Sequence, residues 1–136
     1  MDITTLNSLD RHDAVSALTG CCASSAWIDR MVVARPFRDA PALLTAAEEV
    51  WWDLGADDWQ EAFVAHEGPA SPDTSGEYEE AFGYPYLVFA ENLSATDLDT
   101  LYKRRLEHDA LAELSITATE QARITNFRLR QLLDLV

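Results

Sequence analysis

The chain has 136 residues, of which 48% are hydrophobic, and its formal net charge is −14. This composition supplies enough apolar side chains for a packed interior and excludes a disordered chain. No apolar run reaches the ~20 residues that span a bilayer, and the first residues show no secretion signal. We therefore expect a single domain over residues 1–136, located in the cytoplasm and without membrane partners.

The acidic charge is concentrated in the middle of the chain. Between Arg38 and Lys103 there is no Lys or Arg, whereas Asp and Glu recur throughout that stretch. Such a surface repels nucleic acid, so we expect no nucleic-acid partner. The pattern is typical of a solvated surface, and a docking face for a basic partner is the alternative.

The two cysteines, Cys21 and Cys22, are adjacent in the sequence. Neighbouring residues rarely reach disulfide geometry, and the chain has no Cys/His spacing that is typical of a metal site. We therefore expect two buried thiols near a helix end, and no metal. The chain also has no Gly-rich phosphate loop.

Capping residues and Gly or Pro stops predict helices along most of the chain. The predicted helices run from Asp10 to Gly20, from Ser24 or Ser25 to Arg35, from Asp39 to Gly55, from Asp57 to Gly68, over 77–82, from Ser94 onward, and from Asp109 to Leu133. Residues 68–76 are predicted to be a loop and residues 84–89 a buried extended segment. The sum is an all-α bundle of about seven helices.

Apolar spacing predicts which side chains of the last two helices face the core. These are Leu98, Leu101 and Leu106 in the first, and Leu111, Leu114, Ala118, Ala122, Leu129 and Leu133 in the second. His12 and His108 stand in polar contexts, so we expect both at the surface. The acidic cluster at Glu77, Glu79 and Glu80 is expected to be a solvated helix face, with a catalytic carboxylate as the alternative.

His66 is the first candidate for chemistry. It follows Trp59 and Phe63 at helical spacing, so it points inward near the end of its helix. The helix C-terminus and Glu67 favour the imidazolium, whereas burial favours the neutral ring. A histidine balanced in this way suits general acid/base catalysis. A hydrogen-bonded core histidine is the alternative.

Arg128 is the second candidate. It lies on a stripe of the last helix that is apolar at both ends and polar at Gln121, Thr125 and Arg128. The stripe predicts that Arg128 is buried, and a buried arginine needs an anionic partner. That partner is either a substrate carboxylate, bound through two parallel hydrogen bonds, or a core-facing acid in a structural ion pair.

Short motifs follow one another in a characteristic order along almost the whole chain. They are Leu6-Asn7, Ser24-Ser25-Ala26-Trp27, Arg35-Pro36-Phe37, Ala65-His66, Tyr78 with Phe82-Gly83-Tyr84-Pro85-Tyr86, Arg105-Leu106-Glu107-His108-Asp109, and Ile124 with Arg128-Leu129. In this order and spacing they resemble the OHCU decarboxylase family.

The resemblance implies an all-helical fold, commonly a homodimer. It also implies decarboxylation of 2-oxo-4-hydroxy-4-carboxy-5-ureidoimidazoline (OHCU) to (S)-allantoin without a metal or organic cofactor. The family's acid/base histidine corresponds to His66, and the arginine that binds the anionic substrate corresponds to Arg128. Backbone groups of Tyr86 and Leu87 are expected to hold the substrate ring. Tyr84 and Thr125 are expected to contact the substrate as well.

Two departures from the family pattern stand beside the catalytic histidine. The proline that follows the histidine in the family is Glu67 here. The family also has a helix with a Glu-Gln pair between this histidine and the tyrosine that corresponds to Tyr78, and the chain lacks it. We expect Glu67 to orient His66 or to replace the missing carboxylate.

The sequence therefore predicts a divergent, cofactor-independent lyase. The expected reaction is decarboxylation of a small anionic molecule, with His66 and Glu67 as catalytic residues and Arg128 as the carboxylate ligand. A specialised pathway, such as natural-product biosynthesis, suits a shortened family member. The alternatives are a genuine OHCU decarboxylase of urate breakdown and a non-catalytic helical module that binds a partner through its acidic middle.

Overall fold

The computed structural model describes residues 1–66 and 72–136, with the backbone alone for residues 72–75. This part of the chain forms α1 (Ile3–Ser8), α2 (Arg11–Thr19), α3 (Ser25–Ala34), α4 (Ala40–Trp52), α5 (Ala56–Val64), α6 (Pro72–Phe82), α7 (Ala95–Leu106) and α8 (Ala110–Leu132), and it contains no strand. The predicted all-α fold is confirmed. The helix that the sequence analysis did not predict is α1, which is short and is capped by Asp2.

Most of the predicted helix starts are confirmed by their caps. The side chains that accept a hydrogen bond from a backbone N–H in the first helical turn are Asp10, Ser24, Asp39, Ser94 and Asp109. At the start of α7 the bonding is reciprocal, because the Asp97 carboxylate also accepts from the Ser94 backbone N–H at 3.2 Å. Each such cap is worth about 1 kcal/mol, so these starts are defined by local chemistry.

The predicted loop over residues 68–76 is wrong in its second half. Residues 68–71 lie outside the described residues, but α6 begins at Pro72 and contains Gly76. Proline is tolerated at the first position of a helix because its missing N–H has no intrahelical partner there. Residues 84–89 contain neither helix nor strand, and the predicted burial of this segment is confirmed at Tyr84, Tyr86 and Leu87.

Two indole groups tie the long helices together through the core. The Trp27 indole N–H donates to the Ala47 carbonyl oxygen at 3.1 Å and joins α3 to α4. The Trp51 indole N–H donates to the Ala118 carbonyl oxygen at 3.0 Å and joins α4 to α8. Because α5 also packs against α8, the C-terminal end of α5 lies beside the middle of α8.

Two of the N-terminal motifs, Leu6-Asn7 and Arg35-Pro36-Phe37, contact each other through hydrogen bonds. The Asn7 side-chain amide donates to the Phe37 carbonyl oxygen and accepts from the Phe37 backbone N–H, both at 2.8 Å. Arg35 donates to the carbonyl oxygens of Leu6 and Leu9 at 2.9 and 2.8 Å. These bonds hold α1 and the segment after α3 together, which is a structural role for both motifs.

Several predicted core positions in α7 and α8 are corrected. Leu111 is 80% exposed, and Leu98 and Leu101 are only half-buried, whereas Leu106 packs against the core as predicted. The predicted core positions Ala118 and Leu129 are fully buried, but so are two charged residues, Arg105 and Glu113, which pair with each other. An apolar stripe alone does not reveal a buried ion pair, which is why leucines were assigned to the core.

Within the described residues, no helix has the length and apolar character that crossing a bilayer requires.

Candidate active site

His66 lies just beyond the C-terminal end of α5. This helix starts with Asp57 and Asp58 in its first turn and buries Phe63 completely. The His66 backbone N–H donates to the Phe63 carbonyl oxygen at 3.3 Å, which continues the turn past Val64. The ring is half-buried, so the predicted inward orientation is confirmed.

A chain of hydrogen bonds runs from His66 into α8. The Nε2 atom of His66 lies 2.6 Å from Oε1 of Gln121. The Gln121 amide nitrogen then donates to the Thr125 hydroxyl at 3.0 Å. Gln121 and Thr125 are both buried, and they lie one turn apart on the α8 face that meets α5. Two of the three predicted polar residues of this face, Gln121 and Thr125, therefore form one connected network with the histidine.

Burial lowers the pKa of His66 below its ordinary value of 6.5. The hydrogen bond between His66 and the Gln121 side-chain oxygen acts in the opposite direction, and the positive charge of Arg128 lowers the pKa further. Desolvation disfavours the charged form of a histidine, so the ring is neutral at neutral pH. A neutral imidazole is able to accept a proton at its free ring nitrogen.

Arg128 lies on α8, three residues after Thr125. Its side chain is exposed, so the prediction that it is buried is wrong. The predicted stripe stepped alternately by three and four residues, whereas the buried positions step from Thr125 to Leu129 to Leu133. A straight helix turns once per 3.6 residues, so a stripe drawn with a 3.5-residue period drifts off the buried face.

The guanidinium of Arg128 has no anionic partner among the described residues. It forms no salt bridge and no hydrogen bond there, so no structural ion pair with a core-facing acid is seen within residues 1–66 and 72–136. Its charge nevertheless acts on His66 and on the thiols of Cys21 and Cys22. Arg128 is therefore a cation at the edge of the His66 network.

The two cysteines form the apolar wall beside this network. Both are buried and free, just beyond the end of α2, as predicted. Burial raises the pKa of each thiol to about 11, and the Thr125 hydroxyl contacts the thiol of Cys22. Thiols with so high a pKa are protonated at neutral pH, which makes them poor nucleophiles.

The extended segment after α6 is divided between two environments. Tyr84 is buried and packs edge-on against Phe63, with 5.1 Å between the ring centroids, which places it next to the helix end that carries His66. Tyr86 and Leu87 instead lie against Arg105. The Leu87 carbonyl oxygen accepts a hydrogen bond from Arg105 Nη1, so this predicted substrate-binding group already has a protein partner.

Sequence reasoning missed a buried polar cluster around Arg105 and Glu113. Arg105 Nε donates to Glu113 Oε1 at 2.5 Å, and both side chains have no exposed surface. The Tyr78 hydroxyl donates to the same carboxylate at 2.6 Å, and Arg105 Nη2 donates to the Thr117 hydroxyl at 3.1 Å. The signals in the sequence were the positions of Arg105 and Tyr78 within family motifs.

His108 lies at the edge of the Arg105–Glu113 cluster and not free at the surface. Its Nδ1 atom lies 3.2 Å from Glu113 Oε2, and its side chain is 32% exposed. His12 is exposed, as predicted, and so are Glu77, Glu79 and Glu80. The latter three therefore form the expected solvated face of α6. Glu67, the other predicted catalytic residue, lies outside the described residues.

The rest of the described surface has two grooves, both away from His66. No cluster of three His, Cys, Asp or Glu side chains in this part of the chain has the geometry to hold a metal ion. Two grooves of about 430 and 620 Å³ lie along the opposite face of α8 and share Phe89, Glu91, Thr119 and Arg123. Neither groove is lined by His66, Gln121 or Arg128.

Comparison with known proteins identifies the family. The OHCU decarboxylase family profile matches residues 7–71 and 72–130. The chain is 25% identical over 146 aligned positions to the "Uric acid degradation bifunctional protein TTL" of Arabidopsis thaliana, an alignment that covers 82% of the chain and 45% of that relative. The chain thus spans less than half the length of this relative.

Two solved structures share the fold. One, described as OHCU decarboxylase in the presence of (S)-allantoin, superposes with a TM-score of 0.74 at 25% identity and covers 85% of this chain and 96% of that chain. Another, described as (S)-allantoin synthase, has a TM-score of 0.78 at 18% identity. The superposition covers 98% of this chain and 54% of that chain. The expectation that the chain is an enzyme of the decarboxylase class is confirmed. The chain belongs to the OHCU decarboxylase family.

Proposed function

We propose that this single-domain protein decarboxylates a small anionic molecule, with His66 as the proton-transfer group and Arg128 as the carboxylate ligand. The observation that carries the proposal is the position of Arg128. It is a cation without a protein partner in the described residues, yet it acts electrostatically on a half-buried, hydrogen-bonded histidine. A substrate carboxylate is the complement of such a guanidinium, because the two form paired charge-assisted hydrogen bonds.

The reaction needs an electron acceptor, and the substrate supplies it. When the bond between carbon and carboxylate breaks, its electron pair moves into a conjugated carbonyl or imine of the substrate, and CO2 leaves. The neutral His66 ring first takes a proton from a neighbouring substrate hydroxyl. It then returns that proton to the carbanion or enolate carbon. Solvent supplies one proton to the substrate oxygen that lost its own, and this is the single proton that decarboxylation of a carboxylate consumes.

Glu67 and the extended segment complete the proposed site. Glu67 directly follows His66 in the sequence, and we assign it the orientation of His66 or the replacement of the missing family carboxylate. Tyr84 borders the site through its contact with Phe63. Thr125 acts through Gln121. For Tyr86 and Leu87 we retain the backbone N–H groups as substrate contacts, since the Leu87 carbonyl is bonded to Arg105.

We propose a substrate other than OHCU, in a specialised pathway. The support is the absence of the family's Glu-Gln helix from the sequence and the nature of the group that meets His66. That group is the amide of Gln121 rather than a carboxylate. OHCU itself is the second candidate substrate, and the comparisons with urate-degradation proteins favour it.

One assay separates these two substrates. OHCU is generated from urate with uricase and hydroxyisourate hydrolase, and (S)-allantoin is followed by circular dichroism. We expect the wild-type protein to process OHCU no faster than its spontaneous decay, and to release CO2 from another small carboxylate that carries a conjugated carbonyl or imine. Fast, stereospecific formation of (S)-allantoin would instead establish OHCU as the substrate.

The proposed assembly is a homodimer, as the family resemblance implies. The described surface leaves apolar side chains for an interface, since Val33 is 76% exposed, Trp52 40% and Leu93 38%. Light scattering coupled to size-exclusion chromatography tests this assembly, and a mass close to the 15.2 kDa of one chain would contradict it.

A further inference from the structure

The short contact between His66 and Gln121 determines which nitrogen of the histidine ring is available. Nε2 of His66 is 2.6 Å from the Gln121 side-chain oxygen. Among the described residues, Nδ1 makes no hydrogen bond, so the two ring nitrogens have different surroundings. When a neutral histidine donates through one nitrogen, the other carries the lone pair.

The surroundings of Gln121 favour the orientation in which its amide oxygen, and not its amide nitrogen, faces His66. Gln121 is fully buried, and its nitrogen donates to the Thr125 hydroxyl at 3.0 Å, which leaves the amide oxygen facing His66. An oxygen in this position accepts from the Nε2–H of both the neutral ring and the imidazolium. With the amide reversed, a protonated Nε2 would face an N–H group, and protonation would require the amide to turn.

We infer that Gln121 is a positioning residue that holds neutral His66 with its proton on Nε2, so that Nδ1 is the nitrogen that exchanges protons with the substrate. This inference rests on the proposed function of His66, which it specifies at the level of one atom. It also gives the chain an amide beside the catalytic histidine, although the family's Glu-Gln helix is absent.

The proton balance of the reaction follows from this arrangement. Nδ1 takes the proton of the substrate hydroxyl, and Nε2–H keeps its bond to Gln121 while the ring is charged. After CO2 has left, Nδ1 returns the proton to the carbon that carried the carboxylate, and the substrate oxygen that lost its proton takes one up from solvent. Gln121 therefore stabilises the charged intermediate state of the ring, and it opposes the nearby charge of Arg128.

The tautomer of His66 can be measured without a substrate. The chain has three histidines, so His66 is assigned by comparison with His66→Ala in long-range ¹H–¹⁵N NMR spectra of the full chain. Well above the pKa of the ring, we expect a protonated Nε2 and an unprotonated Nδ1. A ring protonated on Nδ1, or an even mixture of the two tautomers, would overturn the inference.

Variants of Gln121 test its effect on the histidine. Gln121→Leu removes the acceptor, so the Nε2–H preference should be lost and the pKa of His66 should fall. Gln121→Glu keeps an acceptor and adds a negative charge, so the pKa of His66 should rise. The matched control is Gln131→Leu, which makes the same change at an exposed position of α8. It should leave both the tautomer and the pKa of His66 unchanged.

Turnover then separates this inference from the proposed function. We expect Gln121→Leu to lower kcat about ten- to hundredfold, because a hydrogen bond to a charged group is lost. If Gln121→Leu leaves the ring titration and the pH profile of kcat unchanged, the inference fails even where His66→Ala abolishes turnover. The other outcome is that the wild-type protein shows the Nε2–H tautomer but His66→Ala retains full turnover. The proposed function of His66 then fails, and the role of Gln121 in catalysis fails with it.

Discussion

The Arg105 guanidinium and the Glu113 carboxylate form an ion pair inside the protein, with 2.5 Å between Nε and Oε1 and no exposed surface on either side chain. The same guanidinium bonds the Leu87 carbonyl oxygen, and its central carbon lies 4.5 Å from the centroid of the Tyr86 ring. The pair thus joins α7, α8 and the extended segment after α6. Its effect on the site is indirect, because it fixes the segment whose other end carries Tyr84.

Breaking this ion pair should destabilise the protein strongly. Arg105→Met leaves the Glu113 carboxylate buried without its partner, and such a loss costs about 3–5 kcal/mol. The free energy of unfolding from urea titrations measures the cost. The double variant Arg105→Met/Glu113→Leu leaves no unpaired charge, so it should be more stable than Arg105→Met alone. A single variant as stable as the wild type would contradict this account of the pair.

Replacing Arg128 should weaken substrate binding and leave the fold intact. Arg128→Lys keeps the charge but cannot reproduce two parallel hydrogen bonds to a carboxylate. We expect KM to rise tenfold or more, since a hydrogen bond to a charged group is worth about 1.5–3 kcal/mol. The melting temperature should not change, because Arg128 is exposed and unpaired in the described residues. Arg130→Lys is the matched control on the same helix. A lower melting temperature with unchanged KM would assign Arg128 a structural role.

The activity should depend on pH through the neutral form of His66. Burial lowers the pKa of the ring below 6.5, so the basic form persists at pH 6.5 and is lost as the pH falls through the lowered pKa. The acid limb of the kcat profile should therefore lie below pH 6.5. Gln121→Glu should move that limb to higher pH.

The same pKa shift couples His66 to stability. At a pH between the folded and unfolded pKa values the unfolded chain binds more protons, so stability should decrease as the pH falls below about 6.5. His66→Ala should remove this contribution from urea titrations at several pH values. An identical pH dependence of stability in the two proteins would contradict the lowered pKa.

Cys21 and Cys22 should react slowly with thiol reagents in the folded protein. Burial raises the pKa of both thiols to about 11, so little thiolate exists at pH 8, and both side chains are nearly inaccessible. A chromogenic disulfide reagent should modify both residues rapidly only after unfolding in urea. Fast reaction of either cysteine in the native state would show that this wall of the site opens to solvent.

Features that depend on neighbouring residues could be predicted from the sequence, and those that depend on distant partners could not. The caps at Ser24, Asp39 and Asp109 were correct because each bonds a backbone group within three residues. The partner of His66 was missed because it lies 55 positions away in the sequence. Gln121 had appeared in the polar middle of a helical stripe, but only the packing of α5 on α8 gave it a role.

The errors have physical causes of the same kind. Arg128 was expected to be buried because a stripe with a heptad period was extended over too many turns of α8. The start of α6 was missed because Pro72 and Gly76 were interpreted as loop residues, although proline is compatible with the first turn. The Arg105–Glu113 pair was missed because charged residues are rarely buried unless they are paired, and the pairing is a property of the fold.

The central claim is that His66 carries the proton in a decarboxylation, and single-site variants test it most directly. CO2 release should be measured for the wild type, His66→Ala and His66→Asn on a carboxylate that the wild type processes, with His12→Ala as the control at an exposed histidine. We expect both His66 variants to lose about 10²–10⁴-fold in turnover, because asparagine keeps a hydrogen bond but cannot carry a proton. His12→Ala should match the wild type. A folded His66→Ala protein with wild-type turnover would contradict the account.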